Sequence, residues 1–141
     1  MVISRLATGL SLLGAAFILY IGIGYLVAPA TMAPGFGLPA WPEGDAVAFM
    51  QLKGVRDTVS GLIILALLLA GQRYALGIVT LVVALIPLGD MVTVLRWDGS
   101  TATAFGIHGL TAAAVALTGG LLLWENVRSG ASAAVSERVT R

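Results

Sequence analysis

The chain has 141 residues, of which 58% are hydrophobic and only 11% charged, with a formal net charge of +1 and a mean hydropathy of +0.97. Soluble domains carry about 25% charged residues, so this composition excludes an ordinary soluble domain and predicts a single-domain integral membrane protein; the near-neutral balance excludes a basic field that would gather nucleic acid. The lack of cysteine excludes disulfides, thiolate metal sites, iron–sulfur clusters and cysteine nucleophiles, and a lone histidine excludes a multi-histidine metal site.

A membrane-spanning helix needs about 20 mainly apolar residues. The first such window covers 6–28. Arg5 before the apolar run, and the small residues Ala28 and Ala30 around Pro29, give it some likeness to a signal peptide. Its apolar run of about 22 residues is longer than the 7–15 of a signal-peptide core, which predicts a retained span. Residues 29–45 follow as a loop with four of the five prolines, apolar residues such as Met32, Phe36, Leu38 and Trp41, and no basic residue. Such a loop either folds over the mouth of the helices or connects them along the outer interface.

The second window, 46–70, contains "QLKGVRDTVSGL". A mid-membrane Lys, Arg or Asp costs about 2.5–3.5 kcal/mol, against a gain of roughly 0.3–0.6 for each Leu or Ile, so Lys53, Arg56 and Asp57 require a compensating arrangement. Lys53, Arg56, Asp57, Ser60 and Gly61 recur at helical spacing on one face, which predicts a buried polar stripe. Lys53 has a long stem and is expected to snorkel to the interface.

After the turn "GQRY", the third window, 74–95, carries Pro87, expected to kink the helix, three residues before Asp90. After the turn "RWDGS", the fourth, 101–124, carries His108 and a ridge of Ala112, Ala116 and Gly120 that predicts close helix packing. Counted at 1.5 Å per residue from the ends of their windows, the charges of the second span, Asp90 and His108 all fall about 9–15 Å from the same face of the membrane. The short turns predict antiparallel neighbours, and the fold expected is an all-α, antiparallel four-helix transmembrane bundle over residues 1–124, with a polar cytoplasmic tail over 125–141, frayed or weakly helical.

Basic residues near span ends favour the cytoplasm. Arg5, Arg73, Arg128, Arg138 and Arg141 then lie inside and Arg96 outside, which predicts a multi-pass protein of the cell (plasma or inner) membrane with both termini cytoplasmic. Trp41 and Trp97 fall at the outer boundary and Trp124 at the inner one, as interfacial rings prefer.

The motifs "GVRDTVSGL", "PLGD" and "HG" at His108 and Gly109, in that order and in those spans, resemble a family of small bacterial four-span membrane proteins catalogued as a domain of unknown function, broadly DoxX-like in size and architecture. The resemblance implies architecture and no reaction. The first span has no acidic residue to match the essential glutamate of small multidrug exporters, and the cysteines of vitamin K-type quinone reductases are absent.

Intramembrane ionisable groups point to function by default. Arg56, Asp57, Asp90 and His108 are the candidate catalytic residues: Asp90 orienting His108 as general acid or base, Arg56, held by Asp57, polarising a substrate oxygen. No metal site and no cofactor is implied. The expected partners are the bilayer, a hydrophobic small molecule and a second copy of the chain. The function expected is the binding or conversion of a lipid-soluble small molecule, by general acid/base chemistry, in a polar pocket in the outer half of the bundle; two other readings stand beside it, a small, oligomeric, proton-coupled transporter and a non-catalytic accessory subunit of a membrane complex. The structural alternative for the cluster itself is an Arg56–Asp90 ion pair with His108 donating to a backbone carbonyl.

Overall fold

In the computed structural model the backbone is described over residues 2–139 and the side chains over residues 2–128. Helix α1 spans Val2–Val27; a short α2, Pro29–Met32, and 3-10 turns at Ala33–Phe36 and Gly44–Val47 lead into α3, Ala48–Leu69. Helices α4, Arg73–Val83, and α5, Leu85–Arg96, form one broken rod. A single turn α6, Thr101–Thr103, passes through a π-helical turn, Ala104–Gly109, into α7, Leu110–Val139. Among the described residues every regular element is helical.

Among the described residues three helical rods are long and apolar enough to cross a membrane: Val2–Val27, Arg73–Arg96 and Thr101–Arg128. Helix α3 has the length but carries three charges, and is not one of them. In α7 the backbone stays helical past Trp124, where the sequence predicted a boundary; the side chains of 129–139, and all of Arg141, lie outside the described residues.

The breaks between rods follow from local chemistry. Helix α3 ends in a Schellman motif: Gly71 takes φ 68°, its N–H bonds the Leu68 carbonyl at 3.1 Å, and the Gln72 N–H bonds that of Leu67 at 2.9 Å. The α4–α5 break falls at Ala84, because Pro87 cannot donate to the carbonyl of Val83 four residues earlier and its ring crowds that group. Ser100 caps α6, its Oγ accepting from the Thr103 N–H at 3.2 Å.

Helix α1 packs mainly against α3, and α4 against α7. Both pairs are brought close by glycine. A Cβ on Gly22 would sit 2.5 Å from the Thr58 backbone nitrogen, and one on Gly54 2.9 Å from the Gly22 carbonyl. Between α4 and α7 the contact residues are Gly77 and Gly119, where a Cβ on Gly119 would lie 3.0 Å from the Gly77 carbonyl oxygen. This corrects the expected ridge of Ala112, Ala116 and Gly120, since a Cβ on Gly120 would meet open space. At about 100° per residue, eight residues from Ala112 drift some 80° off its face, whereas seven, ending at Gly119, drift only about 20°.

The two pairs meet firmly at one end, where Ala7, Ala15, Ile64, Leu76 and Leu122 form a core. Arg73 closes that end. Its guanidinium bonds Glu125 Oε2 at 2.7 and 3.2 Å, the Thr8 hydroxyl at 3.0 Å and the Ser4 carbonyl at 3.3 Å, tying α4 to α1 and α7. Toward the other end a second small core of Tyr25, Ala33 and Met50 seats the first loop on α1 and α3. Between the two lies a cavity.

Candidate functional site

The polar stripe of α3 faces this cavity, and its centre is Asp57, only 1% exposed. A carboxylate so buried must be paired. Lys53, one turn earlier, reaches Asp57 Oδ2 at 2.5 Å, and Arg56 Nε donates to Asp57 Oδ1 at 3.0 Å. Helix α5 adds Asp90, whose Oδ2 lies 3.7 Å from Lys53 Nζ and 3.6 Å from Arg56 Nη2. Two cations and two carboxylates thus form one network bridging α3 and α5, and their formal charges cancel.

The two cations occupy different places. Arg56 is 44% exposed at its side chain and braces both carboxylates from outside the cavity wall, whereas Lys53, 19% exposed, is part of that wall. The Lys53 ammonium sits 5.0 Å from the ring centre of Tyr25 and 5.3 Å from that of Phe36, within cation–π range of both. Lys53, expected to snorkel outward, is therefore turned in. Its angular position explains this: at 100° per residue Lys53 stands about 40° from Asp57 around α3, and Arg56 about 100°.

His108 lies in the π-helical turn, a geometry that recurs at functional sites. It is 8% exposed, lines the cavity, and its Nε2 is 2.9 Å from the carbonyl oxygen of Phe36. A carbonyl only accepts, so Nε2 carries the proton; in the uncharged ring Nδ1 is then left with the lone pair. The imidazole also packs against the Phe36 ring, centroids 4.8 Å apart. The partner expected for His108 was Asp90. In the structure Asp90 is engaged by Lys53 and Arg56, and His108 by the first loop, the arrangement anticipated by the structural alternative.

That loop covers the charged end of the cavity. Tyr25 donates to the Met32 carbonyl at 3.3 Å, and the Ser100 N–H donates to the carbonyl of Gly37 at 2.8 Å. Met32, Gly35 and Phe36 line the space beneath. Beyond the cluster the wall is apolar apart from a few hydroxyls, and the cavity has a volume of about 590 Å³. Ser11, Ser60 and Thr118 spend their hydroxyls on carbonyls four residues earlier in their own helices. The hydroxyl of Thr80, also in the wall, is buried without a hydrogen-bond partner. Sequence reasoning missed Thr80 and the cavity-facing role of Lys53; the helical angle between Lys53 and Asp57 was the signal available for the latter.

The exposed lining residues are Leu13 (68%) and Phe17 (45%) of α1, Gly35 of the first loop, Ile107 (47%) of the π-helical turn and Ala114 of α7. The cavity thus opens sideways between α1 and the final rod, through apolar side chains. Among the described residues no group of three or more His, Asp or Glu side chains is placed to hold a metal ion.

All-helical architecture and three rods of membrane-spanning length and composition define a small helical protein of the membrane type. The chain belongs to the family described as a domain of unknown function (DUF4267), whose match over residues 15–122 takes in every member of the cluster. No curated protein and no solved structure matches it.

Proposed function

We propose that the chain is a four-helix integral membrane protein of the cell membrane, with α3 as the fourth span and both termini cytoplasmic, and that its cavity binds or converts a lipid-soluble small molecule. The observation that carries this reading is the presentation of the paired Lys53 and Asp57 in the wall of a largely apolar, sideways-open cavity. A purely structural ion pair needs no open space beside it. Here the ammonium instead faces a space whose volume lies within the roughly 300–1,000 Å³ of small-molecule sites.

Pairing also accounts for α3 as a span. Of three charges that would each cost about 2.5–3.5 kcal/mol at mid-membrane, Lys53 and Asp57 are directed at one another, and Arg56, though 44% exposed, is neutralised by Asp57 and Asp90. Within the cavity, Lys53 is the group positioned to polarise a ligand oxygen, a role that falls to it over Arg56 because only Lys53 belongs to the wall. His108 offers Nδ1 as proton acceptor, and Asp57, Asp90 and Arg56 hold the charge balance. Transport is supported less well. The end of the molecule away from the cluster is filled by Leu76 and Leu122 and clamped by Arg73 and Glu125, which offers no continuation of a polar route.

The test is mass spectrometry of small molecules that co-purify with the wild type and with a Thr111→Trp variant, which projects an indole into the cavity from the lining residue Thr111, at matched folded yield. A hydrophobic compound retained only by the wild type supports the reading. The same lipids on both proteins, or none, would count against it and favour an accessory subunit.

A further inference from the structure

If the cavity is a binding site, as proposed above, its charge balance states what class of molecule it takes. Lys53 and Arg56 offset Asp57 and Asp90, so the cluster is electroneutral before any ligand arrives. A fatty carboxylate would add an unmatched negative charge beside two carboxylates, and a fatty ammonium would compete with Lys53 for oxygens already engaged. Either adds an uncompensated charge in a space walled by hydrocarbon and closed above by Phe36 and Met32. An uncharged oxygen meets no such penalty. Lys53 has three N–H donors; one is committed to Asp57 at 2.5 Å, and Asp90 lies farther off at 3.7 Å, which leaves donor capacity beside the Tyr25 and Phe36 rings. The imidazole of His108, with Nε2 fixed on Phe36, keeps an acceptor at Nδ1 for a hydroxyl proton.

Below this polar end the wall runs from His108 to Thr118 on the final rod, about 15 Å at 1.5 Å per residue, with Ile18, Ile21, Ile64 and Val115 around it. The Thr80 hydroxyl, buried in that wall without a hydrogen-bond partner, is uncharged as well. We infer that the cavity selects an electroneutral amphiphile, an alcohol or carbonyl compound with a long apolar tail, seated with its oxygen between Lys53 and His108, and rejects the acid and the amine of the same tail.

The experiment uses the full chain in nanodiscs and three probes of one tail length: 1-tetradecanol, tetradecanoate and tetradecylammonium, each measured relative to empty nanodiscs. The alcohol should bind at least about tenfold more tightly than either ion, the effect of one mismatched charge. Asp90→Asn makes the cluster net positive and should raise the affinity for tetradecanoate relative to the alcohol by about tenfold; Lys53→Met makes it net negative and should favour tetradecylammonium in the same way. Circular dichroism and size-exclusion profiles establish that each variant is folded, and either charge variant alone suffices. If an ion binds the wild type as well as the alcohol does, and Thr111→Trp abolishes that binding, the cavity is a site but the electroneutral class is overturned. If the charge variants leave the ranking unchanged, the class is likewise overturned. If no probe exceeds the empty nanodisc, the binding reading itself fails.

Discussion

His108 and Phe36 are joined twice, by a 2.9 Å hydrogen bond from Nε2 to the carbonyl and by ring packing at 4.8 Å, although 72 positions separate them in the chain. The bond fixes both the tautomer of the histidine and the seat of the first loop over the cavity. It also ties the π-helical turn that carries His108 to α1 through that loop.

Removing the imidazole should therefore free the loop before it unfolds the helices. His108→Ala is expected to speed amide hydrogen exchange at Gly35 and Phe36 while α1 and α3 remain protected, with a loss of about 1–3 kcal/mol of stability from the stranded carbonyl and the lost packing. His108→Gln, which can still donate, should recover part of the protection. Equal protection of the loop in wild type and His108→Ala would show that the bond does not hold it.

Asp57 is 1% exposed and balances two cations at once. Asp57→Asn should cost about 3–5 kcal/mol, because removing one partner of a buried pair leaves the other charge uncompensated. The double change Asp57→Leu with Lys53→Met keeps the Arg56–Asp90 pair and should be less destabilising than Asp57→Asn alone. Thermal unfolding in detergent reads the difference; a double variant less stable than the single one would mean that Lys53 is not held chiefly by Asp57.

Gly22 sets the distance between α1 and α3. A Cβ there would stand 2.5 Å from backbone, which cannot rotate aside as a side-chain tip can, so Gly22→Ala should cost about 1–3 kcal/mol. Gly9→Ala on the same helix, with nothing within 4 Å, should be neutral or stabilising by up to about 1 kcal/mol through helix propensity, and serves as the comparison. Matching stabilities of the two variants would mean that the helices separate without cost.

The membrane class, the all-helical architecture and the polar stripe on α3 could be read from the sequence because each depends on a local property: apolar run length, backbone hydrogen bonds that must close within the segment, and the 3.6-residue period. The same local rules located the Pro87 break only approximately, since the steric clash acts four residues upstream and the helix parts at Ala84. Family membership also follows from the sequence over residues 15–122.

Which cation faces the cavity, which group engages His108 and which glycines meet were decided by the tertiary structure. Periodicity places a residue on a face but leaves open the rotation of that helix against its neighbours. A turn of some 60°, the angle between Lys53 and Arg56, is enough to exchange an inward lysine for an inward arginine. The Phe36 carbonyl could not be anticipated at all, because it belongs to the backbone of a loop whose path is set by Tyr25, Met50 and Ser100. Side-chain identity was written in the chain; the partner of each buried charge depended on how the helices were turned and what the loop laid across them.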